Sequence, residues 1–448
     1  MKQALLLGLG VSGRAAAELL LAKGYQVLGV DAQADILSSQ EEIKNLKRRG
    51  LTVKNKYDEK KIEDFDLIVV SPGISPSHPL YRAAIEKDIP LIGEAELALK
   101  GISQKAAVIT GTNGKTTVTL LTEHILNASG FKARALGNVG NPFSSYVLNS
   151  NSDEIIVAEM SSYQLETFQS RVFDVGVILN ITPDHLDRYA SMQEYASAKC
   201  LLKNVIKNEK SLYVQETASK EWNCFLQGSS FKTFGTVPSS YLWTDRKEVF
   251  CQNHSLFRLS HYFQTLGEHE SENVLAAWAI AQEFGVTDVQ FLKALETFKK
   301  PPHRIEFVEA IAGVSYIDDS KGTNLDAVIQ AVKTMPGAVI LIAGGVDKGS
   351  SYKLWIEHFL GKVKEIIVLG QAAEKICNEL KEFFNVHFVG SLKEAVVLAS
   401  LLAIRGDYVL LSPGCSSFDM FRDYAHRGEE FKRYVKSLKL SSKEENHL

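Results

Sequence analysis

Short apolar runs alternate with amphipathic stretches along most of this chain, which predicts buried strands separated by helices, the sequence form of parallel α/β sheets. At the N-terminal end the runs Ala4–Leu7, Val27–Val30 and Leu67–Val70 read as strands, and Ile89–Ile92 as the last of that group. Helical periodicity fills Arg14–Lys23, Glu41–Arg49 and Leu80–Glu86, and a helix-like stretch, Glu94–Lys100, leads into a linker at Gly101–Lys105. A second group starts with the strand Ala106–Thr110, a glycine loop and a helix from Lys115 to Ala128, with further strands at Ile155–Ala158 and Val175–Ile181.

Between Ser211 and Leu266 the pattern changes to short alternating runs rich in Tyr, Phe, Trp and Thr, which predicts a small antiparallel sheet appended to the parallel one. A long helix over Ser271–Phe284 follows. Lys299-Lys300-Pro301-Pro302 then marks a boundary, because a Pro pair cannot continue a helix and stiffens a connector. Beyond it, strands at Val314–Ile317, Ala338–Ala343, Glu365–Leu369, His387–Val389 and Tyr408–Leu411 alternate with helices, a third doubly wound group. The closing SSKEENHL reads as a short frayed charged tail. The chain carries no long repeat and no low-complexity segment.

Length agrees with three groups: 448 residues exceed one ordinary core, and about 150 residues per domain gives roughly three. The net charge of −3 excludes a nucleic-acid binder working through bulk charge, which needs a basic surplus or stripe. No apolar run reaches the ~18 residues that a membrane span requires. The five cysteines (Cys200, Cys224, Cys251, Cys377, Cys415) are scattered without a CxxC pair, which predicts reduced thiols and a cytoplasmic protein. The apolar start MKQALLLGLG imitates a signal peptide, but Gly8, Gly10, Gly13 and Arg14 make it a strand entering a glycine turn.

The sharpest motif is Thr110-Gly111-Thr112-Asn113-Gly114-Lys115-Thr116-Thr117, set between a predicted strand and a predicted helix. Glycines let backbone amides approach phosphate oxygens, and a helix N-terminus adds partial positive charge. Lys115 would reach the β- and γ-phosphates, and the Thr116 hydroxyl would ligate Mg²⁺. Ile109 replaces the first glycine of the full phosphate-loop spacing, so this is a shorter variant, GxxGKTT, read as a nucleoside triphosphate site. A second glycine motif, Gly8-Leu9-Gly10-Val11-Ser12-Gly13, with Asp31 ending the next strand, offers a diphosphate seat and a carboxylate for a sugar hydroxyl. These residues alone leave open NAD, another nucleotide diphosphate, or a turn needed only for packing.

Glu159 follows the strand Ile155–Ala158, and His185 lies in Asn180-Ile181-Thr182-Pro183-Asp184-His185-Leu186-Asp187-Arg188 beyond another strand. Both would face the crevice beyond the carboxyl ends of the strands, where a carboxylate suits Mg²⁺. His185 and Asp187 could equally cap a turn, and Lys199 by itself reads as a solvated surface lysine. In the third group, Asp318-Asp319-Ser320-Lys321-Gly322-Thr323-Asn324, Gly344-Gly345-Val346-Asp347-Lys348-Gly349 and Ser412-Pro413-Gly414-Cys415-Ser416-Ser417 each follow a strand and are expected to open a helix. Three such loops suggest one face for an anionic ligand; helix N-capping would explain one residue per loop but not the two lysines. Cys415 has no histidine placed for it and is read as structural.

Together GTNGKTT, EMSSYQLE, NITPDHLDR, the Asn273 helix, PHRIE (Pro302–Glu306), DDSKGTN and SPGCSSFDMF resemble the Mur ligases, ATP-dependent amide ligases of bacterial cell-wall peptide assembly. The resemblance covers essentially the whole chain. DSKGTN, GLGVSG and SPGIS (Ser71–Ser75) look most like the branch that adds D-glutamate. It implies three α/β domains: a Rossmann-like domain over 1–94, a central P-loop ATPase-like domain over 95–299 with a parallel and a small antiparallel sheet, and a Rossmann-like C-terminal domain over 300–448.

The same resemblance implies the ligands. The first domain would hold the uridine diphosphate of UDP-N-acetylmuramoyl-L-alanine, not NAD, through Gly10, Val11, Ser12, Asp31 and Ser71, with Asn138 and His185 on the same substrate. ATP would lie on Gly111–Thr117, Asn273, Arg304 and Asp319. Two Mg²⁺ ions would be held by Thr116, Glu159, His185 and a carbamylated Lys199, a modification that turns a cation into an anion. Thr323, Lys348, Ser417 and Tyr424 would hold D-glutamate, and Lys321 would lie beside the reacting groups; Lys115, His185, Lys199 and Lys321 form the implied catalytic set. A monomer without nucleic-acid or membrane partners is expected. Three positions depart from the family pattern: His269-Glu270 for the frequent His-Asn on the adenine side, Ala32 for a hydroxyl residue on the uracil side, and Tyr424 for Phe.

The implied chemistry is an acyl phosphate formed on the L-alanyl carboxylate and then attacked by the D-glutamate amine, with domain closure to exclude water. Two rivals are a folylpolyglutamate synthase type, which shares the loop but lacks such a first domain, and an NAD-dependent oxidoreductase.

Overall fold

The computed structural model describes residues 2–150, 153–252, 254–259 and 267–445. The first sheet is built from β1 (Gln3–Leu7), β2 (Gln26–Val30), β3 (Leu51–Lys54), β4 (Leu67–Val70) and β5 (Leu91–Gly93). It is fully parallel in the order β3-β2-β1-β4-β5, so the direction of winding reverses between β1 and β4, where open α/β sheets bind ligands. The helix Val11–Ala22 begins three residues earlier than its periodicity suggested, which draws Gly13 into the first turn. A Cβ on Gly13 would stand 2.0 Å from the Gly8 carbonyl, so only glycine lets this helix start so close to the strand end.

The second sheet comprises β6 (Ala106–Thr110), β7 (Ala133–Gly137), β8 (Ile155–Glu159), β9 (Val175–Ile178), β10 (Leu212–Gln215), β11 (Lys232–Gly235), β12 (Leu242–Thr244), β13 (Glu248–Cys251) and β14 (His254–Arg258). Its order is β14-β13-β12-β11-β10-β9-β6-β8-β7. The antiparallel part expected after Ser211 is β12-β13-β14, bonded onto the parallel sheet rather than separate from it. Within the same stretch β10 and β11 extend the parallel order, since the short helices Glu216–Glu221 and Asn223–Leu226 supply the crossover between them. Residues 253 and 260–266 of that stretch lie outside the described residues. The long helix runs Glu268–Glu283 and packs Leu275, Trp278 and Ile280 against the core beside the sheet.

The third sheet contains β15 (Glu306–Ile311), β16 (Val314–Asp318), β17 (Val339–Gly344), β18 (Val363–Leu369), β19 (Asn385–Phe388) and β20 (Tyr408–Leu411), in the order β15-β16-β20-β17-β18-β19. Only β15 is antiparallel; the rest form a doubly wound parallel sheet. Of the three polar loops, only 318–324 leads directly into a helix, Leu325–Thr334, where Asn324 Oδ1 accepts from Ala327 N at 2.9 Å. The loops after β17 and β20 do not open helices as expected: further residues intervene before Leu354–Phe359 and Tyr424–Glu445. The charged end read as frayed continues that last helix to Glu445, and 446–448 lie outside the described residues.

Contacts divide the chain into two compact units. One runs to Ile181 and resumes over Gln193–Phe298; the other joins Thr182–Met192 to the chain from Lys299 onward. Within the first unit two buried glutamates of the helix Glu94–Leu99 tie the first sheet's layer to the second's. Glu94 Oε1 accepts from Ser144 N at 2.5 Å, and Glu96 accepts from Gln169 N, Ser170 N and Ser170 Oγ. Burial pushes the Glu94 carboxyl up to about 7, against the opposing effect of the Ser144 hydrogen bond.

Candidate active site

In the first unit the loop between β6 and the helix Lys115–Ala128 is shaped by two glycines, Gly111 at φ +152° and Gly114 at φ +85°. A Cβ on Gly114 would meet Asn273 Oδ1 at 2.4 Å, so the loop and the Asn273 helix touch where the resemblance put ATP. The loop is strapped by Asn180, just past β9. Its carbonyl accepts from Thr112 N at 2.7 Å, its Oδ1 accepts from Asn113 N at 2.7 Å, and its Nδ2 donates to Asn113 O at 3.2 Å. Sequence reasoning quoted Asn180 only within a motif; its position at a strand's carboxyl end was the available signal.

Two lysines converge on this loop. Lys115 Nζ donates to Gly111 O at 2.8 Å and to Thr112 O at 2.7 Å. Lys199 Nζ donates to the same Gly111 oxygen at 2.8 Å and lies 4.6 Å from the Tyr195 ring centroid, while Tyr195 Oη pairs with Thr112 Oγ1 at 3.2 Å. The surface reading of Lys199 is therefore corrected: the side chain is 2% exposed, and its helix, Met192–Cys200, turns it inward. A buried ammonium needs acceptors or a counter-charge, which a phosphate group or a change in its own charge can supply.

Glu159, the last residue of β8, is paired in register with Ile109 just before the loop. Its side chain is buried; Oε1 accepts from Asn138 Nδ2 at 2.9 Å, whereas Oε2 finds no hydrogen-bond partner among the described residues. An orphaned buried carboxylate oxygen beside a phosphate loop fits a hard cation, so Glu159 and Thr116 are suited to hold Mg²⁺. Asn138, expected on the sugar nucleotide, is thereby fixed to the candidate metal ligand.

The other glycine turn in this unit also gathers its expected residues. Asp31 Oδ2 accepts from Leu9 N at 2.8 Å and its Oδ1 from Gln33 N at 2.9 Å; Ser71 Oγ donates to Gly8 O at 3.0 Å. Gly10, Val11 and Ser12 form the opening of the helix, whose Gly10 cap makes no side-chain bond and leaves donors for a ligand.

His185 belongs to the second unit. It sits at φ +56° in a turn whose carbonyl accepts from Arg188 N and Tyr189 N, and its own N–H bonds Asp184 Oδ1 at 2.9 Å. Asp184 also receives Lys348 Nζ at 3.0 Å and Asn324 Nδ2 at 3.4 Å. Thus Lys348, expected on D-glutamate, is engaged by a buried carboxylate in this structure.

Around the loop after β16, Asp319 accepts from Ser412 Oγ at 2.6 Å and Ile305 N at 3.2 Å. Burial pushes its carboxyl up to about 7, while Ser412, Ile305 and the nearby Arg304 charge oppose that rise. Arg304 lies between His303 (φ +62°) and Ile305 (φ +50°), left-handed conformations that a β-branched residue adopts only at a cost. His303 Nδ1 meets Asp318 Oδ2 at 2.7 Å and its carbonyl accepts from Lys321 N at 3.1 Å. Lys321 Nζ stands 4.1 Å from the Tyr424 ring centroid. Thr323 precedes the Asn324 cap, and Ser417 is buried in the loop after β20. Cys415 bonds Tyr352 Oη at 3.0 Å, and burial raises its thiol to about 11, which suits a structural role. Sequence reasoning also missed Arg427, His303 and Asp318 as organisers of these loops.

With that geometry in hand, three family models match the chain: the Mur ligase MurD-like N-terminal domain over residues 2–93, the Mur ligase middle domain over 109–281, and the Mur ligase glutamate ligase domain over 303–415. The UDP-N-acetylmuramoylalanine--D-glutamate ligase of Protochlamydia amoebophila is 49% identical over 437 residues, 98% of each chain. The enzyme of that name from Lachnoclostridium phytofermentans is 39% identical, again over 98% of each. Among solved structures, UDP-N-acetylmuramate-alanine ligase from Thermotoga maritima matches with a TM-score of 0.59 at 19% identity, covering 98% of this chain and 100% of that one; at this identity the likeness concerns the fold.

Proposed function

The chain belongs to the Mur ligase family, and from that premise we propose that it is an ATP-dependent ligase joining D-glutamate to UDP-N-acetylmuramoyl-L-alanine in cytoplasmic peptidoglycan precursor synthesis. The observation that carries the reading is the first unit's phosphate loop, with two lysines on one carbonyl and an unpartnered Glu159 oxygen beside it. In this reading residues 1–94 take the sugar nucleotide, 95–299 the ATP and 300–448 D-glutamate, in a monomer.

The reaction proceeds by phosphoryl transfer to the L-alanyl carboxylate, then attack of the D-glutamate amine on the acyl phosphate with loss of phosphate. Gly111–Thr117 cradle the phosphates, and Lys115 leaves its two carbonyls to meet the transferring group and stabilise developing charge. Asn273, Arg304 and Asp319 orient the nucleotide. Thr116, Glu159, His185 and Lys199, the last as its carbamate, are the residues assigned to two Mg²⁺ ions, which supply charge neutralisation when bound. Asp31, Ser71 and the Gly10–Ser12 turn hold the uridine diphosphate, and Asn138 and His185 guide its alanyl end. Thr323, Lys348, Ser417 and Tyr424 receive D-glutamate, and Lys321 bears on the reacting carboxylate.

Phosphate release from ATP by the purified chain tests this directly. It should require both UDP-N-acetylmuramoyl-L-alanine and D-glutamate. Release with a pteroate substrate, or hydride transfer with NAD, would replace the assignment.

A further inference from the structure

Arg427 lies in the first turn of the helix Tyr424–Glu445, 107 positions beyond Ser320, 83 beyond Gly344 and 12 beyond Cys415, and is 3% exposed. Its guanidinium reaches all three polar loops of the third sheet. Nε donates to Ser320 Oγ at 3.0 Å and Nη2 to Ser320 O at 2.9 Å, in the loop after β16. Nη1 and Nη2 donate to Cys415 O at 3.3 and 3.2 Å, in the loop after β20. Nη1 also lies 3.4 Å from Gly344 O, where β17 ends. These acceptors are neutral oxygens. Asp419, Asp318 and Asp319 act on the charge only through space, and burial lowers its pKa to about 10.

The local sequence is shaped to put it there. A Cβ on Gly428 would stand 2.2 Å from His303 Nδ1, so glycine lets the helix press against that loop. Gly345, at φ +130°, would place a Cβ 2.1 Å from Ser416 O and 3.3 Å from Arg427 Nη1. A planar fork of five donors spans three carbonyl-bearing loops; an ammonium on a flexible stem cannot do so.

We propose that Arg427 is a positioning residue that sets the mutual spacing of Lys321, Thr323, Lys348 and Ser417, and thereby the affinity for the incoming amino-acid dicarboxylate. This rests on the reading of those loops as the D-glutamate site. The group acts through the backbone of Ser320, Gly344 and Cys415, and its buried charge raises the positive potential under an anionic substrate.

The test is steady-state kinetics of R427K, R427A and S320A in the full chain, each substrate varied in turn. R427K should raise the KM for D-glutamate about 10-fold or more while leaving the KM values for ATP and sugar nucleotide within about twofold. S320A should shift the same constant in the same direction by less, and guanidinium ion should partly restore R427A. A merely structural arginine would lower the active fraction with every KM unchanged; that result, or an equal rise in the ATP constant, overturns the proposal. Wild-type protein releasing no phosphate in response to D-glutamate would instead remove the site reading beneath it.

Discussion

Lys115 and Lys199, eighty-four positions apart in the sequence, both donate from Nζ to the carbonyl oxygen of Gly111, each at 2.8 Å. Two ammonium groups on one acceptor repel each other, and a triphosphate or a carbamate on Lys199 relieves that repulsion. Lys115→Ala should therefore reduce kcat by at least about a thousandfold, because it removes a charge aimed at the transferring phosphoryl group. Calorimetric titration should show sugar-nucleotide binding near the wild-type value. Equal loss of both would argue against separate seats for the two nucleotides.

The second lysine gives a prediction of a different kind. If Lys199 works as a carbamate, enzyme equilibrated in buffer stripped of carbon dioxide should lose activity, and bicarbonate should restore it. Activity indifferent to bicarbonate would leave the buried ammonium as the working form.

Gly114 is committed twice, by its left-handed φ of +85° and by Asn273 Oδ1 standing where a side chain would begin. Gly114→Ala should cost about 1–2 kcal/mol in stability from the backbone alone. It should also raise the KM for ATP about tenfold or more by displacing the loop amides. Thermal melts with and without ADP separate the two effects: the nucleotide-induced rise in Tm should shrink in the variant.

Glu94 makes stability depend on pH. Its folded-state value, about 7, lies above the usual glutamate value of 4.5, so the folded chain holds its proton where the unfolded chain releases it. Stability from this group is thus present below about pH 4.5, falls as pH rises toward 7, and stays lost above that. The span corresponds to roughly 3 kcal/mol before any relaxation around the site. Glu94→Gln keeps an acceptor for Ser144 N and should raise Tm at pH 8 while changing little at pH 4. A melt series across that range checks the sign.

Lys348→Met strands the Asp184 carboxylate that its ammonium meets at 3.0 Å. Both side chains are largely buried, at 16% and 8% exposed, and breaking such a pair from one side costs about 3 kcal/mol or more. Denaturant titration should register that loss, and the double change Lys348→Met with Asp184→Asn should recover part of it. The KM for D-glutamate should stay high in both.

Much of this architecture was legible because two signals coincide at several strand ends. GTNGKTT announces itself through glycines flanked by a continuous apolar run and a helical period. DDSKGTN does so through its hydroxyls and amide before another helix. β3 and β7 were not read: Thr52, Lys54 and Arg134 interrupt their apolar content, and their edge or near-edge places need no unbroken run. β15 escaped for the same reason, being a half-exposed antiparallel edge.

The site was harder to read where a side chain acts on distant backbone. Asn180 and Arg427 bond mainly to carbonyls and amides, and such partners leave no residue type to look for. Lys199 shows the limit most plainly. Its helix has no pronounced apolar face, so a lysine there reads as solvated; only the path of Met192–Cys200 beneath the phosphate loop buries it. The family resemblance assigned it a metal-site role, which periodicity gave no reason to expect.

The short stretch Thr182–Met192 packs with the chain beyond Lys299 although both its neighbours in sequence belong to the first unit. A graft that exchanges the C-terminal third for a relative's, cut at the Pro301-Pro302 connector, would therefore import a foreign partner for Asp184 and His185. Swapping only that third should yield protein that is soluble yet sluggish, and carrying 182–192 along with it should bring the hybrid back.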